Sequence, residues 1–326
     1  MTPKQPELTS TSASLDACAQ QLASGRTVAI PTETVYGLAA RIDLPAAIQS
    51  VFTLKERPSF DPLIVHIAEL EQLKDLVAEW PPLAEALAKA FWPGPLTLVL
   101  PKHPSVNPAI TSGLETVGVR MPDHPLTLEL IRTTGPLAAP SANKFGHTSP
   151  TRAEHVQQEF AREIANGDII VLDGGPAEVG VESTVIRIAA DRIEILRPGG
   201  VTADQIKIRL AAEGPKATVE TPERNDQRSP GHLEHHYMPR KPLVWSLDEA
   251  PAATPLDTTA IAQRLGLSRQ AQPSVIVLND DPRLAARELY HLFREADCSA
   301  TDFIVVRLPR SRQDGLWSAI TDRLKR

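Results

Sequence analysis

Residues 55–66, KERPSFDPLIVH, gather Lys55, Arg57, Asp61 and His66 around one short aliphatic run. Lysine and arginine ahead of a strand supply a point charge and a planar donor fork, both suited to phosphate. The same pair at a solvated helix end would complement the helix dipole instead. His66 is either a ligand-facing imidazole or a satisfied core histidine. In PTETVYGL (31–38) hydroxyls alternate with Glu33 and Tyr36 at the end of a strand. Such hydroxyls meet ligands in α/β folds, or they cap a following helix or turn. APSANKFGHTSPT (139–151) crowds Ser141, Asn143, Thr148, Ser149 and Thr151 between two prolines. That loop can offer hydroxyls and backbone N–H groups to phosphate, or act as a stiff turn with caps. VGVRMP (117–122) and LRPGG (196–200) each end an apolar strand on an arginine, Arg120 and Arg197. Burying a guanidinium costs free energy unless an anion or a salt bridge meets it. HLEHHY (232–237) holds three histidines, yet no carboxylate or cysteine frame surrounds them, so a metal site is disfavoured. Together these groups favour an anionic ligand such as a nucleotide, with a second small polar substrate.

The elements that must position them read as follows. TVAIPT (27–32), LIVHI (63–67), PLTLVL (95–100), VGVRM (117–121), PLAAPSAN (136–143), DIIVLDGG (168–175), VESTVIRI (181–188) and RIEILRPGG (192–200) are predicted strands, the last two forming a hairpin. LPAAIQSVFTLK (44–55), EQLKDLVAEW (71–80) and LAEALAKAFW (83–92) have helical spacing. Residues 213–241 are polar, proline-rich and without period, and read as a linker. Beyond them strands and helices alternate, which predicts a small parallel sheet. The chain thus divides into a mixed α/β domain (14–212), a linker (213–241) and a small α/β domain (242–326).

Composition narrows the classes. The chain has 326 residues, ample for a core, and a formal net charge of −6, so no global polycation drives nucleic-acid or membrane binding. Its 30 prolines against 17 glycines imply stiff loops. The two cysteines, Cys18 and Cys298, form no CxxC or zinc spacing and fit a reducing cytosol. No apolar run reaches membrane-spanning length, and the first residues, MTPKQPELTSTSAS, lack the apolar core of a signal peptide. A cytoplasmic location is expected. Walker A, HExxH, GxSxG and EF-hand patterns are absent.

In order along the chain stand PTETVYGL, KERPSFDPLIVH, WPGPLTLVL, VRMP, APSAN, SPT, GVEST and LRPG. This set closely resembles the YrdC-like threonylcarbamoyl-AMP synthases from about residue 14 to 200. SPGHLEHHY and the C-terminal region ending GLWSAITDRLKR resemble the two-domain branch. The resemblance implies a YrdC-like twisted mixed sheet with a deep cleft, plus a Rossmann-like parallel C-terminal domain. It implies synthesis of L-threonylcarbamoyladenylate and pyrophosphate from L-threonine, bicarbonate and ATP, with Mg²⁺ on the triphosphate. Downstream transferase proteins would pass the threonylcarbamoyl group to the adenosine beside the anticodon of tRNA. By motif, Thr34, His66, Arg120 and Ser183 would hold threonine, Arg120 at its carboxylate. Lys55, Arg57, Asp61, Thr116, Ser141, Asn143, Ser149 and Arg197 would line the ATP side, with His236 and Tyr237 as a lid. No side chain is expected to ligate a metal. The family often has asparagine where this chain has Asp61, whose charge would repel phosphate; ribose, Mg²⁺ or Lys55 are its alternative partners.

Three rivals stand beside this reading. A hydrogenase-maturation carbamoyltransferase shares the domain, but needs CxxC zinc motifs that this chain lacks. A non-catalytic RNA-binding module of the same fold would use a basic concave face for tRNA or double-stranded RNA, but the chain is acidic and poor in aromatics. A synthase acting on another amino acid would differ only in the pocket around Thr34 and Ser183.

Overall fold

The computed structural model describes residues 13–189, 191–213, 216–220, 237–246, 257–309 and 315–325. Ten strands of the first domain form one mixed sheet: β1 (Thr27–Ile30), β2 (Gly37–Arg41), β3 (Ile64–His66), β4 (Leu96–Pro101), β5 (Thr116–Arg120), β6 (Leu137–Ala138), β7 (Ile169–Val171), β8 (Thr184–Ala189), β9 (Arg192–Arg197) and β10 (Thr218–Glu220). Their order is β10-β9-β8-β4-β5-β3-β6-β2-β1-β7. β3 runs parallel to β5 and β4 parallel to β8, while β4 and β5, and β8 and β9, are antiparallel.

Two-residue alternation decides which side chains meet the core and which the cleft. Leu63, Val65 and Ile67 enter the main core with Val117, Val119, Leu96, Leu98 and Leu100. Ile64 falls on the other face with Val99, Val185 and Leu196. His66 and Arg120 share that second face, and the β3–β5 register sets them side by side. Burying each aliphatic on the core face contributes roughly 1.5–3 kcal/mol. A one-residue slip would exchange the two faces, so the core fixes the site's geometry.

The helix Pro45–Lys55 starts on a proline and buries Ala47, Ile48, Val51 and Phe52. It ends at Glu56 in the left-handed conformation (φ 53°), whose N–H bonds to the Phe52 and Thr53 carbonyls. Glu56 is thereby turned outward, while Lys55 and Arg57 on either side are buried.

Two local expectations are corrected. The segment 71–80 is not an α-helix: Leu70–Asp75 is a 3₁₀ turn closed by a reciprocal Glu69–Gln72 capping box. PTETVYGL takes the turn among its alternatives. Thr32 Oγ1 donates to Val35 O (2.6 Å) and accepts from the Thr34 and Val35 N–H groups, and the chain then enters β2 antiparallel to β1. Residues 218–220, inside the expected linker, form β10 and extend the sheet beside β9. Helices Leu15–Ala23, Pro125–Thr134 and Ala203–Glu213 were not expected from pattern.

In the C-terminal domain β11 (Leu243–Ser246), β12 (Pro273–Val277) and β13 (Phe303–Arg307) form a parallel sheet in the order β11-β13-β12. The helix Pro282–Cys298 has Pro at its first position, and Asp281 accepts from the Arg283 N–H. Its buried stripe, including Leu289, Tyr290 and Phe293, packs in one cluster with Val35, Val181 and Tyr237. The two domains therefore share a core. Gly180 permits this approach: with φ +76°, any Cβ there would lie 2.3 Å from Arg287 Cα.

Candidate active site

One cleft is lined by Thr34, Arg57, His66, Arg120, Ser141, Glu182, Ser183, Arg197 and Tyr237, among others. All four residues assigned by motif to threonine line it. Of the ten assigned to ATP, Arg57, Ser141, Arg197 and Tyr237 do. Lys55, Asp61, Thr116, Asn143 and Ser149 do not, and His236 lies outside the described residues.

Arg120 is 4 % exposed, pairs with Glu33 Oε1 at 2.7 Å and donates from Nε to Gly94 O at 3.3 Å. His66 Nδ1 is buried with no hydrogen-bond partner among the described residues. Burial, then the Arg120 charge, pushes its imidazole down to about 3, so it is neutral. A neutral ring can accept a hydrogen bond from a bound amine or hydroxyl. Thr34 Oγ1 is 2.8 Å from Thr32 Oγ1, and Ser183 Oγ is 2.8 Å from Thr97 Oγ1. Both hydroxyls are buried and fixed before any ligand arrives.

Arg57 is buried and locked by Asp61. Nη2 lies 2.8 Å from Asp61 Oδ2, and the guanidinium also donates to the Asp61 and Pro62 carbonyls. Asp61 therefore faces Arg57. Lys55 is buried too. Its Nζ donates to the Ser141 and Asn143 carbonyls, each at 2.5 Å, underneath the APSAN loop. Burial, then Arg57, holds this ammonium well below the usual lysine range. Asn143 Nδ2 closes the same loop onto the Lys144 and His147 carbonyls. Thr116 opens β5 opposite Pro101 and borders a separate small hollow. In the 139–151 loop Ser141 faces the cleft, Ser149 and Thr151 are buried, and the helix Ala153–Glu159 begins at Arg152 without a side-chain cap.

Ser149 Oγ donates to Glu182 Oε1 at 2.6 Å, one residue from Ser183. Arg197 donates to Ser183 O from Nε and Nη2 (3.2 and 3.0 Å) and to the Tyr237 hydroxyl from Nη1 (3.3 Å). Sequence reasoning did not single out Glu182, Glu33, Tyr290 or Arg323. Arg323 left a signal: it falls on the apolar stripe Leu316, Ala319, Ile320, Leu324 of the last helix, where an arginine needs a buried partner.

Two buried histidines set an acid limit. His155, at the domain interface, is pushed down to about 3 by burial and then by Arg294, His291 and Arg152. His66 behaves alike. Unfolded, both take a proton near pH 6.5. Their contribution to stability is complete above that pH and is lost as pH falls toward 3. Between pH 6.5 and 5 the loss is about 2 kcal/mol per histidine. Denaturant titrations should show it, with a smaller loss in His155→Asn. A midpoint unchanged from pH 7 to 5 would contradict the burial argument.

Comparison with known proteins agrees with this geometry. A family model described as telomere recombination, the Sua5–YciO–YrdC domain, matches residues 20–199. A second, described as threonylcarbamoyl-AMP synthase C-terminal domain, matches residues 201–326. The threonylcarbamoyl-AMP synthase of Bacillus subtilis is 47 % identical over 242 residues, covering 73 % of this chain and 68 % of that protein. That of Pyrococcus abyssi is 38 % identical over 318 residues, covering 93 % and 90 %. The crystal structure of Pyrococcus abyssi Sua5 with L-threonine superposes with a TM-score of 0.80 at 36 % identity, covering 95 % of this chain and 92 % of that one.

Proposed function

Since this chain belongs to the threonylcarbamoyl-AMP synthase family, we propose that this cleft joins L-threonine, bicarbonate and ATP into L-threonylcarbamoyladenylate and pyrophosphate. The product serves threonylcarbamoyl-adenosine formation in tRNA. By reaction type the chain is a nucleotidyltransferase. The observation that carries this reading is the gathering of three buried arginines, Arg57, Arg120 and Arg197, with neutral His66 around one cleft.

In this account Arg120 pairs with the threonine carboxylate, supported by Glu33. Thr34 and Ser183 face the substrate's polar groups, and His66 accepts a hydrogen bond from the amine or hydroxyl. The deprotonated amine attacks the carbon of CO₂, releasing a proton to solvent, or of bicarbonate, whose hydroxyl leaves with the amine proton as water, and either way forms the N–C bond of a carbamate. The carbamate oxygen then attacks the α-phosphorus, and the bond to the β-phosphate oxygen breaks as pyrophosphate leaves. Arg57, Arg197 and Ser141 meet the phosphates, and Tyr237 closes over them. Lys55 and Asn143 act from beneath, by fixing the loop that carries Ser141. Both steps depend on position and charge stabilisation, with no covalent nucleophile.

Mg²⁺ enters as part of the nucleotide substrate. The carboxylates of Asp61 and Glu182 are committed to Arg57 and Arg323, so the ion fits as one carried by phosphate and water. Transfer of the product to tRNA needs separate transferase proteins, and that substrate implies a cytoplasmic site of action. The non-catalytic RNA-binding alternative gives no role to a cleft lined by buried arginines.

Pyrophosphate release with ATP, Mg²⁺, bicarbonate and threonine tests the reading when each component is omitted in turn. Release is expected only with all present. Release indifferent to threonine would overturn it, and equal turnover of serine would move the substrate to another amino acid.

A further inference from the structure

Glu182 borders the cleft yet is 5 % exposed, and two groups that hold it come from the C-terminal domain. Tyr290 Oη donates to its carboxylate, 3.1 and 2.9 Å from the two oxygens. Arg323 donates from Nε at 2.9 Å, and its Nη2 lies 2.9 Å from the same Oε2. The remaining Arg323 nitrogen donates to Pro198 O at 2.6 Å, beside Arg197. The Arg323 guanidinium also lies 5.3 Å from the centre of the Tyr237 ring, which stacks on Tyr290. The Arg323 side chain is wholly buried and does not line the cleft.

This arrangement addresses a charge conflict. A carboxylate at the edge of a cleft that receives a triphosphate repels it. Arg197 is close enough to feel Glu182 electrostatically, but its donors go to Ser183 and Tyr237. If Glu182 lost its other cation, Arg197 would be the nearest replacement. Turning to Glu182 would take it off Ser183 on the threonine side and off Tyr237 at the entrance.

We propose that Arg323 and Tyr290 are positioning residues of the catalytic cleft: they hold the Glu182 charge from outside, which keeps Arg197 directed at the nucleotide. The C-terminal domain is then part of the active site, acting through one carboxylate. This rests on the assignment of Arg197 to ATP above. Burial raises the Glu182 carboxyl while Arg323, then Arg197, lower it, with a net downward result. Loss of Arg323 should therefore bring its titration back up.

The test compares full-length wild type, Arg323→Met and Arg323→Met/Glu182→Gln, varying ATP and threonine separately from pH 6 to 8. Arg323→Met is expected to raise the KM for ATP about tenfold or more at pH 8, with the KM for threonine and kcat changed by less than about threefold. The ATP defect should shrink toward the acid end of that range, the direction that favours the neutral Glu182 carboxyl. The double variant should bring the ATP KM back to within about threefold of wild type and remove the pH dependence. A folded Arg323→Met with unchanged KM for ATP overturns the proposal. So does a loss confined to kcat or thermal stability, or a double variant no better than the single. Should Arg323→Met fail to fold, Tyr290→Phe decides: a threefold rise in ATP KM is expected, and no change overturns the proposal. Wild type that turns over only with threonine and ATP is the reference. Its failure would defeat the functional reading, whereas unaltered variants beside an active wild type defeat only this inference.

Discussion

Arg120→Ala is expected to raise the KM for L-threonine by about 100-fold or more, while the KM for ATP stays within about threefold. A buried charge-assisted pair is worth about 2–5 kcal/mol when one partner is removed, and each 1.4 kcal/mol is a factor of ten. Arg120 stands beside His66 on the cleft face of β3 and β5, so its loss should be felt by the small anion and not by the nucleotide. It also leaves Glu33 buried without its cation, at a cost of about 3–5 kcal/mol of stability. The two effects separate in Glu33→Gln/Arg120→Ala. That double variant should recover much of the stability, measured by denaturant unfolding, and none of the threonine affinity. A rise in ATP KM instead would contradict the assignment.

Arg57→Ala should do the reverse. The KM for ATP is expected to rise by about 30-fold or more, with threonine little affected, because Arg57 supplies a buried donor fork to the phosphate side. Asp61 complicates this residue as Glu33 does Arg120. The 2.8 Å pair means that Arg57→Ala strands a buried carboxylate. Arg57→Ala/Asp61→Asn should restore stability but not ATP affinity. Asp61→Asn alone should lower the KM for ATP, since Arg57 keeps its carbonyl anchors and loses the competing negative charge. A higher KM in Asp61→Asn would mean that the carboxylate itself serves the nucleotide.

Much of the site was legible because it sits on alternating strands. LIVHI and VGVRM are legible as apolar strands, while the observed register is what puts His66 and Arg120 opposite the core face. The helix 44–55, the 181–197 hairpin and the C-terminal alternation were legible for the same reason: strong local periodicity matched the tertiary environment. What stayed hidden depends on partners distant in sequence. Lys55 and Arg57 read as phosphate ligands or as a solvated helix end. Neither is a solvated end, because a left-handed cap at Glu56 turns both cations inward, Lys55 under a loop 86 residues away. Asp61 could not be placed without knowing that Arg57 folds back one helical turn later in the chain. Glu182 sat unread inside GVEST because its cation and hydroxyl come from the other domain. The helix expected over 71–80 failed because a capping box and Pro81–Pro82 close the segment within one short turn.

The central claim is that one cleft carries carbon from bicarbonate through threonine to the α-phosphorus of ATP. Incubation with [¹⁴C]bicarbonate, separating nucleotides as turnover proceeds, tests it most directly. The account predicts a labelled adenylate that forms only with threonine, in step with pyrophosphate, and that is lost in Arg120→Ala at low threonine but recovered at high. Pyrophosphate released with the label absent from the adenylate, or a labelled adenylate formed without threonine, would contradict it.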